Sequence, residues 1–201
     1  MGTSSVTTPF SLAGSHVRLE PLRPEHALLL WETVKDHLGE MFQWIPYRLT
    51  SLEDFEEFNR RVLDEQRRGL SVPFAAFAGS NQIAGTTRFM NIDFRNRKVE
   101  IGSTWIAPAW QRTAVNSEAK YLMLRHAFES WECLRVELKT DALNERSRQA
   151  ILRLGAKEEG TLRRHMVCWD GRQRDSVYFS IVDTEWPGVK ARLEQRLARK
   201  Y

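Results

Sequence analysis

The spacing of apolar positions along the 201-residue chain changes period several times, and each change marks an element. His16 to Pro21 alternates apolar and polar residues, which predicts a first strand. From Pro24 the spacing lengthens to three and four. Ala27, Leu30, Trp31, Val34 and Leu38 then form one stripe of a helix that Pro24 opens and Gly39 closes. Met41 to Leu49 is irregular and aromatic, with Phe42, Trp44 and Tyr47 at the seam between two helices. Ser51-Leu-Glu-Asp54 has capping-box spacing ahead of the second helix, which turns Phe55, Phe58 and Val62 inward and stops at Gly69. Val72–Ala78 and Gln82–Asn91 predict two strands joined by Gly79-Ser-Asn. Arg95-Asn-Arg turns into a third, which puts Val99, Ile101, Ser103 and Trp105 on one face and Glu100, Gly102, Thr104 and Ile106 on the other. Pro108, with no amide hydrogen, ends it.

Past the short polar loop Gln111–Asn116 the period becomes helical again, with Tyr121, Leu124, Phe128 and Trp131 on one stripe. Arg135–Thr140 alternates as a strand. Asn144 caps a helix that carries Ser147, Ile151 and Leu154 on one side and ends at Gly155. Strand-like residues run to Trp169, Asp170-Gly171 makes a turn, and Ser176–Val182 returns as the partner strand. Thr184-Glu-Trp-Pro opens a last helix with Val189, Leu193 and Leu197 inside. The order β-αα-βββ-α-β-α-ββ-α describes one α/β domain over residues 16–201, behind a flexible leader of residues 1–15.

Charge and composition narrow the picture modestly. A net charge of +4 and a pI near 9.3 suit a phosphate-bearing ligand. The basic run Arg163-Arg164, Arg172 and Arg174 brackets a hairpin tip and reads as a solvated face rather than a nucleic-acid surface. Cys133 and Cys168 form no metal-type pair, no two histidines have metal-site spacing, and no metal is expected. No apolar run reaches the roughly 20 residues that span a bilayer. Residues 1–15 lack the basic and apolar regions of a signal peptide, so a cytoplasmic protein with no membrane partner is expected.

The strand–loop–helix from Lys98 to Lys120 aims helix N-terminal amides and a positive dipole end at whatever lies above the loop, so an anion is the expected guest. This segment, with the element order, resembles the GCN5-related N-acetyltransferases, and within them the branch of the ribosomal-protein N-acetyltransferases of RimJ/RimL type. The resemblance spans about residues 16–185. It rests on Trp110-Gln-Arg-Thr-Ala-Val-Asn-Ser-Glu-Ala-Lys120, on Asn144-Glu-Arg-Ser147 through Leu154-Gly155, and on Asp170-Gly-Arg-Gln-Arg-Asp175 with the Tyr178-Phe-Ser-Ile strand. It implies a twisted mixed sheet of about seven strands with helices on both faces and a strand–helix–strand crossover at the coenzyme site. It also implies acetyl transfer from acetyl-CoA to a primary amine, on a protein N-terminus or a small molecule, by direct attack through a tetrahedral intermediate. Where the family's loop has two glycines, this chain has Ala114 and Asn116. A non-catalytic acyl-CoA-binding module on the same fold is the alternative, and monomer and homodimer both remain open.

The chemistry needs a base for an ammonium of pKa about 8 to 10.4, and donors for the oxyanion and the leaving thiolate. Glu100, on the strand expected to line the thioester, is the candidate base, with an ion pair to Arg88 or Lys98 as its structural alternative. By resemblance, Trp105 and Ile106 offer backbone groups to pantetheine. Gln111, Arg112, Thr113, Ala114, Val115, Asn116 and Ser117 surround the pyrophosphate, with Asn116 able to cap the helix. Asn144 and Ser147 contact the coenzyme near its sulfur. Ile151 stands where many relatives carry a tyrosine acid, which leaves Ser147, a water, or departure of the thiolate without an acid.

Overall fold

The computed structural model describes residues 8–200. An eight-stranded, mostly antiparallel sheet runs in the order β1-β2-β3-β4-β5-β6-β8-β7 and does not close. The strands are β1 (Leu12–Ala13), β2 (Val17–Pro21), β3 (Ser71–Ala78), β4 (Gln82–Asp93), β5 (Lys98–Ile106), β6 (Arg135–Asp141), β7 (Lys157–Val167) and β8 (Gln173–Val182). The helices are α1 (His26–Glu32), α2 (Leu38–Phe42), α3 (Leu52–Arg67), α4 (Ala114–Arg125), α5 (Glu145–Leu154) and α6 (Trp186–Lys200). β5 and β6 form the parallel pair, as a helical crossover through α4 requires.

Alternation along β3 sends Val72, Phe74, Ala76 and Ala78 to one core, and Ala75 and Phe77 to another on the opposite face. α4, α5 and α6 cover the first core. α1 and α3 cover the second, where Phe55, Phe58 and Val62 bury their side chains for about 1.5–3 kcal/mol each. The capping box at Ser51 and Asp54 forms as expected: Asp54 N–H donates to Ser51 Oγ (3.2 Å) and Ser51 N–H to Asp54 Oδ2 (3.2 Å).

Three expectations need correction. An eighth strand arises because residues 1–15 are not a flexible leader throughout; residues 1–7 lie outside those described. Leu12 and Ala13 pair with β2, and the ring of Phe10 stacks on His126 at 4.3 Å. The clasp is Glu118 of α4, which is buried and accepts the backbone amides of Ser15 (2.9 Å), His16 (2.6 Å) and Val17 (2.8 Å). Gly14 leaves room for it, since a Cβ there would lie 2.4 Å from the Glu118 carboxyl carbon.

The first predicted helix is broken. Thr33 Oγ1 donates to the Leu30 carbonyl at 2.7 Å, a side-chain bond that competes with the helix ladder. Val34 then leaves helical geometry at φ −135°, so Gly39 lies within α2 rather than at a helix end.

The third correction bears on the site. Gly102 pairs with Arg88 and Trp105 with Thr86, so Ser103 and Thr104 of β5 face the single residue Thr87 of β4. The extra residue is a bulge at Ser103, which takes φ +47°. It inverts the alternation beyond that point. Val99, Ile101 and Ile106 enter the first core, whereas Trp105 enters the second. Trp105 therefore does not share a face with Val99 and Ile101.

Candidate active site

β5 and β6 pair at Lys98↔Arg135, Val99↔Val136 and Glu100↔Glu137, and the pairing stops there. β5 stays on β4 as far as Ile106↔Gly85, while β6 follows β8 to Asp141↔Ser176. The two strands therefore splay apart beyond Glu100. A cleft of about 430 Å³ opens in the splay, lined by Gly102, Ser103, Thr104 and Trp105 from one strand and by Leu138, Lys139 and Thr140 from the other. Two strand edges with their ladder interrupted leave backbone donors and acceptors facing the gap, which suits an extended polar chain.

Glu100 stands at the apex of the splay and lines the cleft, 2% exposed. Its Oε2 accepts from Asn91 Nδ2 (2.7 Å) and from Lys139 Nζ (3.2 Å). Neither partner expected from the sequence is the one found, because Arg88 pairs with Glu65 and Lys98 lies 3.6 Å from Glu137. Gly102 makes space for this carboxylate, since a Cβ at that position would approach Met90 Sδ at 2.7 Å and Glu100 Oε1 at 3.0 Å.

The N-terminus of α5 contributes to the cleft wall. Asn144 Oδ1 accepts Ser147 N–H at 3.0 Å, capping α5 as the sequence predicts, and both residues line the cleft with Ile151. The other candidates fall outside the cleft wall. Ile106 turns its side chain into the first core, and its carbonyl already accepts Gln111 Nε2 at 2.9 Å. None of Gln111 through Ser117 lines the cleft. They form the turn and first helical residues next to it, and Arg146 of α5 ties that turn to the cleft end by donating to Gln111 Oε1.

α4 starts earlier than expected, at Ala114, and its cap is Thr113, whose Oγ1 accepts Val115 N–H at 3.3 Å, rather than Asn116. Ala114 and Asn116 thus lie within the helix, in a conformation any L-residue adopts. The positive φ in this turn falls on Arg112 (+63°). Replacing the glycines therefore costs this loop nothing in backbone strain. Thr113, Ala114 and Val115 also border a second hollow of about 400 Å³, shared with His16, Arg18 and Gly79.

Lys120 is the cleft residue that the sequence reading passed over. It lies on α4, is 6% exposed, and donates from Nζ to the hydroxyls of Thr104 and, at 3.4 Å, Thr87. Among the described residues no carboxylate lies within ion-pair distance of it. Burial pushes its pKa down from 10.5 to about 7. A sequence signal was present only weakly, since Lys120 falls between Ala119 and the apolar run Leu122–Leu124 of a helix that also carries Asn116, Ser117 and Glu118.

The cleft wall carries several basic residues. Arg88 and Arg174 are each 6% exposed, so Arg174 does not belong to the solvated hairpin face expected for it. It reaches back across β8 to Ser176 Oγ (3.1 Å) and to the Trp44 carbonyl (3.3 Å). Arg172 likewise folds onto buried Asp141, at 2.7 Å. His165 packs edge-on against Tyr178, which places it beside the cleft rather than in its wall. No group of metal-ligating residues occurs among those described, and no described helix is long and apolar enough to cross a membrane.

A sheet opened between its one parallel pair, with a buried carboxylate at the apex and the N-terminus of α5 in the wall, makes a cleft shaped for an extended ligand. The comparisons make this specific. The Acetyltransferase (GNAT) domain model matches residues 16–157, and the chain belongs to that family. YdaF of Bacillus subtilis, named for ribosomal N-acetyltransferase activity, is 28% identical over 178 residues, covering 87% of this chain and 96% of YdaF. A GCN5-related N-acetyltransferase from Brucella melitensis superposes with a TM-score of 0.85 and 31% identity, over 95% of this chain and 86% of that one. RimJ of Mycobacterium smegmatis, solved with CoA-disulfide, shares the fold at a TM-score of 0.78 and 22% identity, over 94% and 92% of the two chains.

Proposed function

We propose that this chain transfers an acetyl group from acetyl-CoA to a primary amine, on a protein N-terminus or a small molecule. The observation that carries the reading is Glu100, a buried carboxylate at the point where β5 and β6 separate. The coenzyme's pantetheine arm would lie along the splayed edges, with its pyrophosphate at the amides that open α4 and with Asn144 and Ser147 beside the thiol end. Glu100 takes a proton from the amine, directly or through a water, as nitrogen attacks the thioester carbon. The N–C bond forms and the C–S bond breaks. Lys120, as ammonium, gives its proton to the departing sulfur, so that the products are the amide and the free thiol. Ser147, at the start of α5 in the cleft wall, orients the thiol end through its hydroxyl.

The test combines binding and turnover. Acetyl-CoA at about a hundred times its Kd adds about 2.7 kcal/mol of stability, which raises Tm by roughly 5–10 °C in a chain of this size. Thiol release should then depend on an added amine. No shift and no thiol release would reject the proposal. The hydrogen bonds that hold Glu100 to Lys139 and Asn91 favour one other reading, a module that binds acyl-CoA without catalysis. Its signature is the Tm shift with no thiol release across the amine panel.

A further inference from the structure

The wall of the cleft carries Arg61, Arg88, Lys120, Lys139 and Arg174 against two carboxylates, Glu65 and Glu100. Lys139 answers Glu100, Arg88 answers Glu65, and Lys120 lies on the α4 side. Arg61 and Arg174 remain without a carboxylate of their own. The Arg61 guanidinium lies over the rings of Tyr47 at 5.2 Å and Phe58 at 5.5 Å, with no acidic partner within ion-pair distance among the described residues. Arg174 is 3.8 Å from Asp141, but that carboxylate is already engaged by Arg172 at 2.7 Å. Burying the Arg174 guanidinium this deeply, with hydrogen bonds to a hydroxyl and a carbonyl and a carboxylate it shares with Arg172, is costly. The phenol of Tyr47 stands among Arg61, Arg88 and Arg174, beside Ser103 at the bulge.

Building on the acetyl-transfer reading, we infer that this arginine cluster binds a carboxylate or phosphate carried by the acceptor, so that the preferred substrate is an amine with an anionic group a few bonds from its nitrogen. Planar guanidiniums pair with such groups through two parallel hydrogen bonds, and Tyr47 and Ser103 add hydroxyl donors. The anion then fixes the amine toward Glu100. A polyamine would bring more positive charge to a wall that already has an excess, and is disfavoured.

The experiment uses matched pairs with CoA-saturated protein for binding by calorimetry and acetyl-CoA for turnover: phosphoethanolamine against ethanolamine, glycine against glycinamide, and a peptide beginning Ser-Glu-Glu against one beginning Ser-Lys-Lys. A charge-assisted contact predicts at least a tenfold preference, in Kd and in kcat/KM, for the anionic member. A preference confined to the peptides identifies an acidic chain end as the source, and one confined to the small amines identifies a free metabolite. Arg174→Gln should erase most of the preference through KM with kcat little changed. Arg61→Gln, at an exposed position that does not threaten folding, should reduce it in the same direction. Equal binding within every pair, or spermidine as the best ligand, overturns the inference. Selective binding of anionic amines without any thiol release would leave the anion site standing and reject acetyl transfer instead.

Discussion

Glu100→Gln is expected to lower kcat/KM for acetyl transfer by roughly 100- to 10,000-fold, the range a positioned general base supplies. Gln keeps the size and one oxygen that Asn91 Nδ2 can still reach, but it cannot take a proton. Lys139, 3.2 Å from the carboxylate in the wild type, loses its counter-charge, so a small fall in Tm accompanies the loss. Acetyl-CoA affinity should be nearly unchanged, because the carboxylate faces the acceptor rather than the helix N-termini. Rates and Kd measured on the same preparation separate the two effects. Full turnover in the variant would remove Glu100 from the mechanism and leave it as the partner of Lys139.

Lys120→Met should make the protein more stable and less active. The buried amine has its pKa lowered from 10.5 to about 7 by desolvation, so the unfolded chain holds this proton over a pH range where the folded chain does not. Stability therefore rises with pH between about 7 and 10.5, and below 7 the folded state bears the full cost of a buried ammonium. Each pKa unit corresponds to about 1.4 kcal/mol, so the penalty near pH 6 is on the order of a few kcal/mol. Met fills a similar volume without charge. It should raise Tm by roughly 5 °C or more at pH 6, by progressively less above pH 8, and should flatten the slope of stability against pH. Loss of the proton donor should cut kcat by about tenfold to a hundredfold and remove the alkaline limb that Lys120 contributes to the rate profile. A more stable variant with undiminished kcat would mean that the lysine is a structural liability with no part in proton transfer.

The two variants draw on different levels of the sequence. Element order was legible throughout the second half of the chain, because strands such as Arg135–Asp141 and caps such as Asn144 obey local rules of period and capping. Glu100 was a candidate only through its place on the strand that the resemblance sets beside the thioester, since alternation with Val99 and Ile101 alone would leave it solvated. The bulge was not legible. Ser103 carries no signature of positive φ, and one inserted residue leaves both halves of β5 alternating correctly while exchanging their faces. The break at Thr33 was hidden for a related reason, since a hydroxyl bonding back to Leu30 changes the helix without changing the apolar spacing. Arg174 and Lys120 were missed because composition treats a basic residue as solvated by default. Only the tertiary packing, with Trp44 and Ser176 around one and Thr87 and Thr104 against the other, withdraws them from water.

The anion expected at the opening of α4 has the same character. Its helix dipole and amides were visible from the strand–loop–helix pattern, and the substituted glycines looked like an obstacle. They are none in backbone terms, because the helix begins at Ala114 and only Arg112 needs left-handed geometry. What sequence could not choose is the side from which a phosphate approaches, since Thr113–Val115 border the hollow beside His16 and Arg18 and not the cleft wall itself.

A crystal structure with acetyl-CoA bound tests that choice and the whole reading together. The account predicts the thioester in the splay between Gly102–Trp105 and Leu138–Thr140, within reach of Glu100 and Lys120, and the pyrophosphate against the first amides of α4. Coenzyme seated in the hollow beside His16 and Arg18, with the splay left empty, would contradict it.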